Sequence, residues 1–269
     1  MGAVSQALAE FANHVRPPAA PGVEVIRTER YQITLVPDFP IPGPNSVSHV
    51  RCAATEVDGL IAEVRGIVAP RRLPLMWVLD PETEPADMPA RLAAHGAHPD
   101  PTAPEVAVMA LPIAAVVDAP SIPGLEIHDA LADLATFRLA DAVGAEAFGS
   151  RPFGEGPGDV AAQERRRINQ LAAGTRRLLL ATVGGEPAGS AGMTLFVPDG
   201  AIINGGGVRE RFRGLGVYRA LVAARLELAR EAGVAGLTVW GNLQSGPILS
   251  RLGFVTVGRR RFFVDTTTA

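Results

Sequence analysis

The sequence predicts a mixed α/β chain of the α+β kind, organised in two parts, and three observations carry that reading. Short β-rich runs alternate with helix-patterned stretches along the whole length. A stretch from Val116 to Gly124, punctuated by Pro120 and Pro123, interrupts the pattern, which restarts after it. A strand in the second part then runs into a loop rich in arginine and glycine, and a long helix leaves that loop. The boundary is placed near residue 120. Residues 1–120 are expected to form a smaller N-terminal α+β domain and residues 121–269 the second domain.

In the first part, residues 1–22 read as a short amphipathic helix (Val4, Leu8, Phe11, Val15) stopped by Arg16-Pro17-Pro18, with a stripe thin enough for a peripheral cap. Val23 to Pro37 is β-rich, and the prolines of 40–44 forbid regular structure. A strand follows at Ser46–Cys52. A helix at Glu56–Val68 aligns Leu60, Ile61, Val64, Ile67 and Val68 on one side and is stopped by Pro70. Leu75–Leu79 is an apolar strand, Met88–Ala94 a short helix with Gly96 past its end, and Val106–Leu111 another strand.

In the second part the expected order is a strand at Leu125–His128, a helix at Leu131–Phe148, a Gly/Pro loop at Gly149–Gly158 and a helix at Val160–Ala173. Strands at Leu178–Val183 and Ala188–Val197 are joined by Gly184-Gly185, and a Pro198-Asp199-Gly200 turn leads into a strand at Ala201–Val208. A long helix ends at Gly233. A strand at Leu237–Trp240, a short helix at Ser245–Leu252 and a hairpin within Phe254–Val264 close the chain. Met76-Trp77-Val78 followed by Leu92 to Gly96 echoes Val239-Trp240-Gly241 followed by Leu249 to Gly253, which is either an internal duplication or the common look of strand–helix–strand units.

The 269 residues are 47% hydrophobic and 20% charged, enough apolar chain to bury a core. The formal net charge is −3 and every basic residue is arginine, so bulk attraction to nucleic acid is not expected. No stretch approaches the roughly 20 apolar residues of a bilayer span, and Met1 to Gly22 lacks the layout of a signal peptide. One cysteine, Cys52, forms no internal disulfide. A cytoplasmic protein that partners neither nucleic acid nor membrane is the expectation. The sequence names no metal site and is silent on oligomeric state.

The chemistry lies between Gly205 and Arg219. Glycines let the backbone approach a ligand, successive N–H groups converge at the helix start, and the helix dipole adds positive charge there. The expected guest is an anion, above all a diphosphate. Walker A needs a lysine that the chain lacks, and the dinucleotide fingerprint would put Arg219 where its third glycine belongs. The loop does match Arg/Gln-x-x-Gly-x-Gly, as Arg211-Phe212-Arg213-Gly214-Leu215-Gly216. With the apolar strand ending at Val208, the Gly-Val-Tyr-Arg-Ala-Leu-Val helix start and the block from Asn242 to Phe254 ending Leu252-Gly253-Phe254, residues 125–265 resemble the GCN5-related N-acetyltransferases (GNATs).

That resemblance implies a mixed, mostly antiparallel sheet flanked by helices. It implies acetyl-CoA as co-substrate, held by Gly207, Val208, Arg211, Phe212, Arg213, Gly214, Leu215, Gly216, Val217, Tyr218, Arg219 and Asn242. The acceptor would be a primary amine of a small molecule or peptide. The strand before the loop would splay from its neighbour to admit the pantetheine arm, and a backbone N–H around Gly206 to Val208 would face the oxyanion. The family's acid, a tyrosine, falls on Leu249, and Asn204 stands where a base is often found, so the catalytic residues are unassigned. Ser245, Ser250 and Tyr218 are the substitutes considered, each also readable as structural. A thiol with a pKa near 8.5 leaves tolerably without an acid. The N-terminal part resembles a truncated copy of the same fold without the paired-glycine loop, which predicts one coenzyme site per chain. A binding protein that kept the loop and lost the chemistry is the alternative. Trp240 is read as core packing, and Arg165–Arg167 and Arg259–Arg261 as solvated faces.

Overall fold

In chain order the elements are α1 (Gln6–His14), β1 (Glu24–Arg27), β2 (Gln32–Leu35), β3 (Ser46–Ser48), α2 (Val57–Val68), β4 (Leu75–Leu79), α3 (Met88–Ala94), β5 (His98–Pro99), β6 (Glu105–Pro112), β7 (Leu125–Asp129), α4 (Leu134–Ala147), α5 (Pro157–Ala173), β8 (Arg176–Val183), β9 (Glu186–Phe196), β10 (Gly200–Val208), α6 (Val217–Glu231), β11 (Gly236–Gly241), α7 (Gly246–Arg251) and β12 (Val255–Asp265). This computed structural model describes residues 3–147 and 157–268. Most of the expected Gly149–Gly158 loop lies outside the described residues. The chain groups into two units, one of Val15–Val108, Gly241–Gly246 and Gly258–Ala269, the other of Met1–His14, Met109–Trp240 and Pro247–Val257. The division falls inside β6 and β12.

The N-terminal unit orders its strands β1–β2–β3–β4–β12, with β5 also on β12. All pairs are antiparallel except β3–β4. Helix α2 presents Val57, Leu60, Ile61, Val64 and Val68 at helical spacing, all buried against Ile33, Leu35, Leu75, Trp77, Leu79 and Phe263. Each such side chain contributes about 1.5–3 kcal/mol on leaving water. The indole N–H of Trp77 donates to Asp265 Oδ2 at 3.3 Å, which also accepts from Arg65 Nε at 2.9 Å. Burial alone would push the Asp265 carboxyl up, but hydrogen bonds from Thr267, Arg65 and Trp77 together hold it below its usual value. The expected Ser46–Cys52 strand stops at Ser48, because His49 turns into the left-handed region at φ +55°.

In the C-terminal unit the order is β6–β11–β10–β9–β8–β7. The β7–β8, β8–β9 and β9–β10 pairs are antiparallel, and β10–β11 is parallel. Alternation along β8 feeds both faces of the sheet. Leu179 and Ala181 meet Val217 and Leu221 of α6, while Leu180 meets Ala140 and Val143 of α4. Helix α1 caps this unit through Leu8, which is buried, and Phe11, whose ring lies where a Cβ on Gly200 would be.

Three expectations need correction. The closing segment is one unbroken strand, β12, rather than a hairpin, since Gly258 has no turn-forming companion and the strand finds its partners far away in sequence. Within it Arg260 is 5% exposed, so Arg259–Arg261 is not wholly a solvated face. Trp240, read as core packing, is 38% exposed at the end of β11.

Candidate active site

Strand β10 carries two irregularities. Its register on β9 slips between Asn204, opposite Gly192, and Gly207, opposite Ser190, which inserts one extra residue at Gly205-Gly206. Gly205 takes φ +58°, a conformation that glycine adopts without penalty. On the other side β10 pairs with β11 only at Ala201–Leu237 and Ile202–Thr238 among the described residues, although β10 runs on to Val208. The parallel strands therefore part beyond Ile202 and Thr238, leaving the edge of Gly206, Gly207 and Val208 unpaired on that side.

After Val208 the chain makes one short turn, Glu210–Phe212, and enters α6 through Gly214 (φ +80°) and Gly216 (φ +93°). Gly216 is the N-cap and offers no side chain to the helix. Among the described residues, the amides of Gly214 through Arg219 make no hydrogen bond, and the first to donate is Ala220, to Gly216 O at 3.0 Å. A run of N–H groups without intrahelical partners at the positive end of a helix is chemically suited to an anion. Arg211 pairs with Glu186 at 2.6 Å and lies over the Phe212 ring, and Arg209 pairs with Glu146 at 2.9 Å. Arg213 and Arg219 are exposed and form no ion pair among the described residues. An open cleft of about 540 Å³ is lined by Glu146, Arg209, Glu210 and Arg211.

Under the bulge lie Tyr218 and Arg225, one face of α6 seven residues apart. A Cβ on Gly206 would stand 3.0 Å from Tyr218 Cε2 and 3.5 Å from Arg225 Nη2. Arg225 is 1% exposed; its Nε donates to Leu221 O at 3.0 Å and its Nη1 to Gly192 O at 3.2 Å. Burial pulls its pKa down from the usual guanidinium value, and Tyr218 beside it is the group that opposes this.

Eleven of the twelve anticipated contacts are consecutive or nearly so on β10, the loop and α6, and the twelfth, Asn242, directly follows β11. Asn242 falls in the segment grouped with the N-terminal unit, and its Oδ1 accepts from Gln244 N, Ser245 N and Ser245 Oγ at 2.9–3.0 Å. That capping also occupies Ser245. Sequence reasoning missed Arg225, hidden in a helix as one more arginine, and Pro120, whose role depends on a chain reversal.

Residues 146–254 match the family model described as the acetyltransferase (GNAT) family. That stretch therefore resembles a GNAT acetyltransferase domain. Solved structures extend the likeness in fold to nearly all of the chain. A GCN5-related N-acetyltransferase from Kribbella flavida superposes with TM-score 0.62 at 19% identity, covering 96% of this chain and 93% of that one. A conserved protein of unknown function from Staphylococcus epidermidis gives 0.66 at 15% identity, with coverages of 92% and 95%. A tandem GNAT protein from the clavulanic acid biosynthesis pathway gives 0.58 at 17% identity, with coverages of 96% and 87%. Among curated proteins, none matches this chain.

The N-terminal unit shares part of this fold. Its β3–α2–β4–α3 repeats the order of β10–α6–β11–α7, and β3–β4 is again a parallel pair with a two-residue register, Ser46–Met76 and Val47–Trp77. There the opening beyond the register is laced shut. Glu84 N donates to Val50 O at 3.1 Å, Cys52 N to Glu84 O at 3.3 Å, and Arg51 Nη2 pairs with Asp80 Oδ1 at 3.0 Å. The loop before α2 has no glycine, and the Glu56 carboxylate accepts from Ala53 N at 2.8 Å, taking an anion's place. Leu249, expected at the position of the family's acid, is 0% exposed. Among the described residues no three His, Cys, Asp or Glu gather to hold a metal, and no helix is long and apolar enough to cross a membrane.

Proposed function

We propose that this chain is an acetyl-CoA-dependent N-acyltransferase that moves an acetyl group to a primary amine of a small molecule or peptide, with residues 121–269 as the acetyltransferase domain and 1–120 as a copy that binds no coenzyme. The observation that carries this reading is the row of unsatisfied amides from Gly214 to Arg219 at the uncapped start of α6. The diphosphate would sit on those amides, with Arg213 and Arg219 as cationic forks. The pantetheine arm would follow the unpaired edge of β10, with its carbonyl oxygen toward an amide of Gly206–Val208. The neutral amine attacks the thioester carbonyl, a C–N bond forms, the C–S bond breaks and thiolate leaves. The Cys52 thiol is buried and unpaired with any other cysteine, in keeping with a cytoplasmic setting.

Isothermal titration with acetyl-CoA tests this: one site per chain is expected, and no heat at millimolar coenzyme would end the reading. A second reading, a coenzyme-binding protein without turnover, is favoured by the burial of Leu249. Thiol release across ethanolamine, glucosamine and a glycyl dipeptide separates the two, since steady release with any of them removes the second.

A further inference from the structure

Strand β4 of the N-terminal unit loses its β12 partner for a reason written in the sequence. The pairing ends at Arg261–Leu79, because the chain turns away at Asp80 and Pro81 has no N–H to continue the ladder. Next to that last pair lies an open cavity of about 270 Å³, whose lining belongs to this unit alone. Leu79 and three prolines, Pro81, Pro85 and Pro89, make its apolar part. Proline rings fix their own φ, and Asp80 pins the loop between them. Its Oδ1 accepts from Glu82 N at 2.9 Å, from Arg51 Nη2 at 3.0 Å and from Thr83 Oγ1 at 3.3 Å. A loop held this way does not fold into the space beside it, so the cavity is preformed.

The charged part of the lining is Asp80, Glu105 and the run Arg259–Arg261 of β12. Its carboxylates are already engaged. Asp80 pairs with Arg51 at 3.0 Å, and Glu105 with Arg259 at 2.8 Å. Arg260 is 5% exposed, and burial brings its pKa down to about 10 against the attraction of Asp80. Arg261 is exposed, and its guanidinium has no ion pair among the described residues. The lining is therefore short of negative charge. A cation would meet the arginines and a dianion would meet Asp80 and Glu105, whereas a single negative charge suits both.

We propose that this cavity binds a small organic monocarboxylate, its carboxylate on the arginines of β12 and its apolar body against the three prolines. Guanidinium forks match a carboxylate in shape as well as charge. The volume is below the usual range for drug-sized ligands, which restricts the body to a single ring or a short chain. The inference concerns the N-terminal unit and does not depend on the acetyltransferase reading.

Calorimetry and amide shifts of the ¹⁵N-labelled full chain test it, with benzoate, benzylamine and inorganic phosphate as probes. Benzoate should bind with a Kd of about 1 mM or tighter, the range open to so small a ligand, and should move the amides of Glu82, Thr83 and Ala86. Benzylamine, the same ring carrying a cation, and phosphate should each bind at least about tenfold more weakly. Arg261→Ala should weaken benzoate about 3- to 10-fold. Ala86→Trp should abolish the shifts by filling the cavity from its exposed side. Both substitutions are at exposed positions, and unchanged melting curves check that the fold is kept. Equal binding of benzoate and benzylamine, no saturable shift at tens of millimolar benzoate, or shifts that survive Ala86→Trp would each overturn the proposal. Acetyl-CoA titrated into the same samples reports on the acetyltransferase reading separately.

Discussion

Pro120 covers Gly216: a Cβ built on that glycine would lie 2.3 Å from Pro120 Cγ. The proline of the linking stretch therefore packs on the residue that starts α6, and the second glycine of the loop is demanded twice, by its φ of +93° and by its neighbour. Gly216→Ala should cost about 1 kcal/mol for the left-handed conformation alone, with the collision added. Displacing the amides should weaken acetyl-CoA binding at least tenfold, about 1.4 kcal/mol, by calorimetry. Pro120→Gly in the same chain should restore part of that loss, and a double variant no better than Gly216→Ala would show that the contact is immaterial.

Arg213 and Arg219 stand exposed at the loop without carboxylate partners among the described residues, so their contribution to holding a diphosphate should be screened. Reversing either, as Arg213→Glu or Arg219→Glu, should weaken acetyl-CoA about 3- to 10-fold at low salt, an effect that shrinks toward about 0.5 M salt. Arg211→Glu should matter less to coenzyme, because Arg211 is already engaged by Glu186 at 2.6 Å. Titrations of the three variants at two ionic strengths give the comparison.

His49 is 4% exposed, with Nε2 3.3 Å from Val15 O and Nδ1 3.9 Å from Asp80 Oδ2. Burial, helped by the charges of Arg16 and Arg260, lowers its pKa from the usual 6.5. The unfolded chain thus takes up a proton near pH 6.5 that the folded chain refuses until lower pH, so stability is full above about 6.5 and is lost as pH falls below it. His49→Asn keeps a residue that tolerates φ +55° and removes the titration. Its thermal midpoint should be flatter than the parent's between pH 7 and 5, and parallel curves would remove His49 as the cause.

Arg225→Met should raise the melting temperature. Replacing a buried, unmatched charge by an apolar chain of similar length is worth about 1 kcal/mol or more, some 2–4 °C for a chain of this size. The two carbonyls it releases lie within β9 and α6. A lower melting temperature by differential scanning calorimetry would mean that the guanidinium is a structural keystone.

Much of the architecture was readable because it is local. Leu75–Leu79 is found over those same residues, the helix stopped before Pro70 ends at Val68 as expected, and the strand into the loop ends at Val208. The loop itself was legible because glycine spacing and helix start lie within a dozen consecutive residues. What escaped depends on distant partners. The hairpin expected at the end is a single strand because Phe263 pairs with Trp77, and the burial of Arg260 follows from that pairing rather than from its neighbours. Arg225 sits among Ala224, Leu226 and Leu228, where periodicity alone reads an arginine as solvent-facing. The capping by Asn242, whose oxygen serves the turn before α7, is a local role that the block of sequence did not suggest.

The Glu56 carboxylate on Ala53 N gives the N-terminal unit its own built-in counter-ion, whereas α6 has none. The first helix start is thus satisfied from within the chain, while the amides of the second are left to water or, on the acetyltransferase reading, to a bound diphosphate. Heated with saturating acetyl-CoA, amides near Gly214–Arg219 should become slower to exchange with deuterium, by a free energy set by ligand excess over Kd, and those at Ala53–Glu56 should be indifferent. One chain would then hold both an obligate and a self-sufficient version of the same helix start.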